Sequence, residues 1–146
     1  FILLFITIIS GAFVSGTKAG LSYNSFPLMG DELIPSEIFD ISPLWKNFFE
    51  NTSLIQFNHR ILATFTCIII LITSLMYLRK HNEYDIINKV LLSGITAAII
   101  FQYSLGILTL INYVPVSLGL IHQLGGLLNL TLITLFISHN SIKHEI

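Results

Sequence analysis

Two histidines stand just inside apolar stretches. His59 lies in Gln56-Phe57-Asn58-His59-Arg60, and His122 in Leu120-Ile121-His122-Gln123-Leu124-Gly125-Gly126. Neutral imidazole is a common transition-metal ligand. His59 follows the apolar start at Leu54 by five residues, and His122 follows Ser117 by five. At about 1.5 Å of rise per residue, each sits roughly 7–8 Å inside its helix. Two imidazoles at matched depth suggest one shared metal. Zinc fits poorly, because it usually takes three or four protein ligands and no third ligand stands at that level.

Haem iron fits better, since it accepts axial histidine. Ala63 lies four residues beyond His59; Gly125 and Gly126 lie three and four beyond His122. Residues at that spacing share a helix face, and small ones leave room for a macrocycle. Arg60, beside His59 near the surface, carries a guanidinium suited to haem propionates. A lone intramembrane histidine is often polar glue between helices. Intramembrane ionisable residues are nevertheless functional by default, and a pair at equal depth favours ligation.

The elements that must position this pair are membrane helices. The chain has 146 residues, 53% hydrophobic and 10% charged, with mean hydropathy +0.80. A soluble domain carries about 25% charged residues. Net charge −1 argues against a nucleic-acid partner. The single cysteine, Cys67, falls mid-membrane, can form no internal disulfide, and reads as core filler.

Four spans are expected, at about 1–17, 54–78, 90–111 and 117–138. The first is shorter than the roughly 20 residues a crossing needs, so it is expected to begin upstream, with an N-terminal part absent. It lacks the basic start of a signal peptide. Its Gly11, Ser15 and Gly16, with Gly20 beyond, permit close helix approach, and Lys18 can snorkel from its end.

The connection from Gly20 to Ser53 is too long to be structureless in a compact domain. Ser42-Pro43 reads as an N-cap with proline at the first helical position. Leu44, Trp45, Phe48 and Phe49 then share one face, which predicts an amphipathic helix on the outer membrane surface, as an anchor or as a lid. Asn51-Thr52-Ser53 matches a glycosylation sequon, a pattern common by chance. Tyr113-Val114-Pro115-Val116 reads as a tight turn.

Arg79, Lys80 and Lys89 cluster between the second and third spans, in a polar loop with Glu83 and Asp85, and Lys143 is in the tail. The long connection holds Lys46 against Asp31, Glu32, Glu37, Asp40 and Glu50. The positive-inside rule then places the basic loop and tail on the cytoplasmic or matrix side. The long connection and the Tyr113 turn face outward. His81, His139 and His144 fall on the inner side, where solvation is expected.

The fold class expected is all-α: a four-transmembrane-helix bundle with the second and fourth spans diagonal. The two helical hairpins look like a weak parallel repeat about the membrane normal, with a ligand between them. Each places a glycine, Gly11 or Gly106, near the outer end of its first helix.

Taken together, these residues resemble a known family. Gly11-Ala12-Phe13-Val14-Ser15-Gly16, Lys18-Ala19-Gly20-Leu21-Ser22-Tyr23-Asn24-Ser25-Phe26-Pro27-Leu28-Met29, Glu50-Asn51, Gln56-Phe57-Asn58-His59-Arg60, and Tyr113-Val114-Pro115 with His122-Gln123 closely resemble haem A synthase of the mitochondrial and alphaproteobacterial type. The resemblance spans nearly the whole chain. It implies the C-terminal half of an eight-helix, two-bundle membrane protein. It assigns His59 and His122 to a bis-histidine haem b, with the haem O substrate and a functional glutamate in the other half. Glu50 is not given that glutamate's role, and no catalytic residue is assigned.

The reaction implied oxidises a methyl group of haem O to a formyl group, giving haem A for cytochrome oxidase. The partners expected are haem O through the missing half, the lipid bilayer and an electron-transfer partner of unknown identity; a homo-oligomer is compatible with the sequence. The setting implied is the bacterial cytoplasmic or mitochondrial inner membrane, with the haem toward the periplasmic or intermembrane side. Two alternatives stay open from the residues: a non-enzymatic b-type cytochrome for electron transfer, and a structural bundle without a cofactor.

Overall fold

The computed structural model describes residues 1–80 and 86–143. The expectations attached to His81, Glu83, Asp85 and His144 lie outside the described residues, as do those attached to the side chains of Lys80 and Lys143. Among the described residues the chain is built of helices: α1 (Ile2–Gly16), α2 (Asn47–Glu50), α3 (Thr52–Lys80), α4 (Ile86–Ile111) and α5 (Val116–Lys143). Short 3-10 turns at Ala19–Leu21, Ser36–Phe39 and Leu44–Lys46 lie between α1 and α2.

Three of these helices are long and apolar enough to cross a membrane, over Thr52–Arg79, Ile86–Ile111 and Val116–Ser141. The chain is thus an integral membrane protein. Helix α1 is apolar but has 15 residues, fewer than the roughly 20 of a full crossing.

The second span starts ahead of its apolar stretch because its end is capped. Asn51 starts α3 two residues before the apolar run: its Oδ1 accepts the backbone N–H of Ser53 at 3.0 Å and of Leu54 at 3.2 Å. This is N-cap geometry, which satisfies donors that helix starts leave open. The Asn51 Nδ2 donates to the Glu37 carbonyl at 2.7 Å and to Asn47 Oδ1 at 3.1 Å. The sequon asparagine is therefore a buried cap, unable to carry a glycan in this fold.

Helix α1 packs on α3, α3 on α4, α4 on α5, and α5 returns to α1. In that ring α3 and α5 stand diagonally. At one end the bundle is closed by apolar packing of Leu4, Ile95 and Ile133 with Ile8, Ile70 and Phe136. Polar side chains also point inward: Thr7, Thr66 and Asn129 are buried while Phe65, Ile72 and Leu128 are exposed. Such a pattern suits a bundle whose outer solvent is lipid.

At the other end the connections interlock. A Cβ on Gly20 would stand 3.0 Å from Val114 Cγ2, so glycine lets the α1 end meet the α4–α5 turn closely. Asn24 Nδ2 donates to the Leu110 carbonyl at 2.8 Å and the Gly20 carbonyl at 3.1 Å. Tyr113 and Val114 both take positive φ, 61° and 53°. That conformation is unusual for a β-branched residue, and the Val114 N–H donates back to the Thr109 carbonyl at 2.9 Å.

The long connection is ordered by its own amides. Asn47, fully buried, donates to the carbonyls of Ile41 at 2.7 Å and Leu44 at 3.0 Å and accepts the Ile41 N–H at 3.0 Å. Glu37 accepts hydrogen bonds from the Tyr23 hydroxyl and, at 3.1 Å, from Ser53. Pro43 is extended and precedes the first turn rather than opening it. A 3-10 turn then runs into the single turn of α2, with Leu44, Trp45, Phe48 and Phe49 exposed.

Candidate functional site

Helix α3 begins at Thr52 and α5 at Val116, so His59 lies seven residues (59 − 52) and His122 six (122 − 116) beyond their starts. The difference of one residue is about 1.5 Å of rise. Both imidazoles are half-buried.

Each ring rests on a glycine of the preceding helix. A Cβ on Gly11 would stand 3.1 Å from His59 Cε1, and one on Gly106 would stand 2.9 Å from His122 Cε1. Gly11 lies five residues before the end of α1 and Gly106 five before the end of α4. A Cβ at Gly106 would force a shift, and one at Gly11 would press the ring back by a few tenths of an ångström.

The correspondence continues along the helices. Adding 95 carries Thr7, Ser10 and Gly11 onto Gln102, Leu105 and Gly106; adding 63 carries His59 and Thr66 onto His122 and Asn129. In the first hairpin the Thr7 and Thr66 hydroxyls bond at 2.7 Å. In the second, Asn129 Nδ2 donates to the Gly125 carbonyl at 2.9 Å and Gln102 Nε2 to the His122 carbonyl at 2.8 Å. The two hairpins thus repeat in geometry and differ in chemistry.

The imidazole surroundings differ too. His59 Nδ1 lies 2.8 Å from Ser10 Oγ, which itself donates to the Thr7 carbonyl at 2.7 Å. His122 Nδ1 is buried with no side-chain partner, and the backbone of Gln102 is the polar group that bears on its ring. Among the described residues, no hydrogen bond reaches Nε2 of either ring. These two nitrogens are free to act as ligands. No three His, Cys, Asp or Glu side chains gather among the described residues.

Gly125 and Gly126 serve another purpose than the one their spacing suggested. The Gln102 side chain lies directly over Gly125, and a Cβ on Gly126 would stand 3.6 Å from Gln102 Nε2 and 3.8 Å from Ile8 Cγ1. They admit the Gln102 amide and the approach of α1.

Arg60 reaches into the long connection. One terminal nitrogen donates to the carbonyls of Ser25 at 2.9 Å and Leu28 at 3.3 Å. The other donates to the Tyr23 carbonyl at 3.0 Å and Gln56 Oε1 at 3.3 Å. Its Nε is buried and unbonded. Gln56 adds an Nε2 bond to the Tyr23 carbonyl at 3.1 Å. Arg60 and Gln56 together pin residues 23–28 over the outer end of α3.

Beneath that segment lies a cavity of about 250 Å³, lined by Phe26, Met29, Arg60, Thr64 and Tyr103 among others. A groove of about 360 Å³ runs between α4 and α5 past Gln102, Gly125 and Asn129. Neither histidine lines either space.

Sequence reasoning missed Ser10, Thr7 and Gln102. The available signal was a polar residue one turn from, or next to, a small residue inside an apolar helix. His139 is half-buried and makes an interaction of its own rather than meeting only solvent. Cys67 is buried, as expected.

With the glycine-backed histidine pair in view, the comparisons decide the family. The model of the cytochrome oxidase assembly protein family COX15-CtaA matches residues 1–134. The chain belongs to that family. It is 48% identical to heme A synthase COX15 of Arabidopsis thaliana over 132 residues, which are 89% of this chain and 28% of that protein. It is 43% identical to heme A synthase COX15 of Homo sapiens, over 88% of this chain and 31% of that protein. Heme A synthase of the Wolbachia of Brugia malayi is 40% identical over 84% of this chain and 34% of its own length. The COX15-CtaA chain described here therefore spans about a third of these relatives. No solved structure matches it.

Proposed function

We propose that this chain is the C-terminal, haem-carrying half of a haem A synthase, and that His59 and His122 are the two axial ligands of a resident b-type haem. The observation that carries this reading is the paired arrangement of His59 on Gly11 and His122 on Gly106, at one depth on diagonal helices, with both Nε2 atoms unbonded. The donor set fits the group: two neutral imidazoles suit haem iron, and the matching names of the relatives support it.

Residues 1–146 then form one four-helix bundle, with α1 completing the set, half of an eight-helix protein. Held by His59 on α3 and His122 on α5, haem would supply a one-electron carrier to the half that oxidises haem O to haem A. The residues of this chain hold and shield it. Gly11 and Gly106 let the rings pack against helix backbone, which fixes their orientation. Ser10 holds His59 by its Nδ1. Arg60 and Gln56 keep residues 23–28 over the outer end, where they limit water access, and Arg60 Nε remains available to a propionate. The segment Leu44–Phe49 lies on the outer membrane surface with its apolar side chains in the interface. The membrane is the bacterial cytoplasmic or mitochondrial inner one, with the haem toward the periplasmic or intermembrane side. Haem O, reached through the other half, is the substrate.

The test is the spectrum of the purified protein. It should bind haem with a low-spin, six-coordinate signature, and His59→Ala or His122→Ala should each abolish it. Retention of that signature in both variants would sink the assignment.

A further inference from the structure

We infer that Ser10 is a positioning residue that makes the two axial histidines unequal, fixing His59 with its proton on Nδ1 and making it the more basic ligand. The inference rests on the haem reading above but goes beyond it, since that reading treats the two histidines alike.

Counting protons fixes the direction of each bond. A carbonyl oxygen can only accept, so at 2.7 Å the Ser10 hydroxyl must give its single proton to the Thr7 carbonyl. Ser10 Oγ, 2.8 Å from His59 Nδ1, is then left as an acceptor. The Nδ1 must supply the proton of that bond. A neutral imidazole with its proton on Nδ1 carries its free lone pair on Nε2, which no hydrogen bond reaches among the described residues. The chain Nδ1–H to Ser10 to the Thr7 carbonyl also fixes the ring plane, because Thr7 is itself held by Thr66 at 2.7 Å. Donation from the far nitrogen raises the basicity of a metal-bound imidazole.

The second hairpin lacks this device. Leu105 occupies the place of Ser10, one residue before the glycine, so His122 Nδ1 has no hydroxyl partner, and the backbone of Gln102, the counterpart of Thr7, is the group that bears on its ring. The two imidazoles thus share depth, glycine contact and an equivalent backbone neighbour, and differ in the Ser10 hydroxyl that stands beside His59. A more basic His59 favours ferric over ferrous iron, so the pair should hold the haem at a lower potential than two unassisted histidines would.

The experiment uses the haem-loaded protein in nanodiscs, with Ser10→Ala, Ser10→Thr and Ser10→Cys. For Ser10→Ala the low-spin spectrum should persist while the ferric preference falls about tenfold, a rise of about 59 mV in midpoint potential for one electron. Haem should dissociate about 10- to 100-fold more readily. Ser10→Thr keeps the hydroxyl and should restore both values. Should Ser10→Ala fail to fold or to keep haem, Ser10→Cys, with a similar shape and a weak acceptor, should show a smaller rise. An unchanged potential with an intact low-spin spectrum overturns the role of Ser10 and leaves the histidine pair standing. Absence of a low-spin haem in the parent protein overturns the pair itself.

Discussion

Gly106 meets the edge of the His122 imidazole so closely that a Cβ there would stand 2.9 Å from Cε1. Either the ring or the α4–α5 spacing must shift to admit that Cβ. Gly106→Ala should therefore displace the ring and cost about 1–3 kcal/mol, the range for overpacking a well-filled site. Gly11→Ala, where the same distance is 3.1 Å, should cost less. Thermal unfolding of both variants, with the low-spin haem fraction measured beside it, checks the order. Equal tolerance of both alanines would show that the helices give way and that the rings are not clamped.

How much of this is legible in the sequence depends on the range of the interaction. The depth match of His59 and His122 is a property of helical rise, so counting from the apolar boundary is enough. The glycines Gly11 and Gly106 are visible as small residues at one level, but not as the seats of the rings, which depends on helix rotation. Gly125 and Gly126 mislead for the same reason: spacing puts them on the histidine face, while packing fills that face with Gln102. Hydropathy underestimates the length of α3 because Asn51 recruits Thr52 and Ser53 into the helix through its cap. Arg60 invites a reading from its neighbour in sequence, yet its partners come from residues 23–28, more than thirty positions away.

Arg60 gives the second prediction. Three of its four donor contacts tie the outer connection to α3, and the fourth holds Gln56 on the same helix. Each hydrogen bond from a charged group contributes about 1.5–3 kcal/mol, though a half-exposed site lies at the low end. Arg60→Ala should loosen residues 23–28, make them sensitive to limited proteolysis, and weaken haem retention while leaving the low-spin spectrum of the remaining haem unchanged. Arg60→Lys should recover little, because a single ammonium lacks the two-armed reach of guanidinium. Unchanged proteolysis and haem occupancy in Arg60→Ala would reduce the residue to an interfacial anchor.

Topology gives the third. A cysteine at Leu44, which is 67% exposed beside the similarly exposed Trp45, should react with a membrane-impermeant maleimide from the outside of intact cells. Asn47 would be a poor probe position, since it is buried and holds Ile41 and Leu44 in place. Background from the buried Cys67 should be small. Labelling that appears only after permeabilisation would invert the orientation drawn from the basic residues.

The last prediction concerns the division of labour. Oxidising a group on the edge of a haem requires the substrate to be held within reach of the oxidising centre. The described residues offer one matched histidine pair at one depth, and the proposal gives that pair to a resident haem. No comparable place is left among the described residues for haem O. Expressed alone in a strain that makes haem O but lacks its own synthase, the chain should yield no haem A on extraction and chromatography of the membranes. Co-expression with the N-terminal half of a relative should produce haem A if the halves dock. Substituting His59 in that pair should lower the yield while leaving haem O levels high, which separates a failure of the resident haem from a failure of substrate supply. A haem A peak from the chain alone would mean that the His59–His122 site itself turns over substrate, and the proposed roles of the two halves would have to be exchanged or merged.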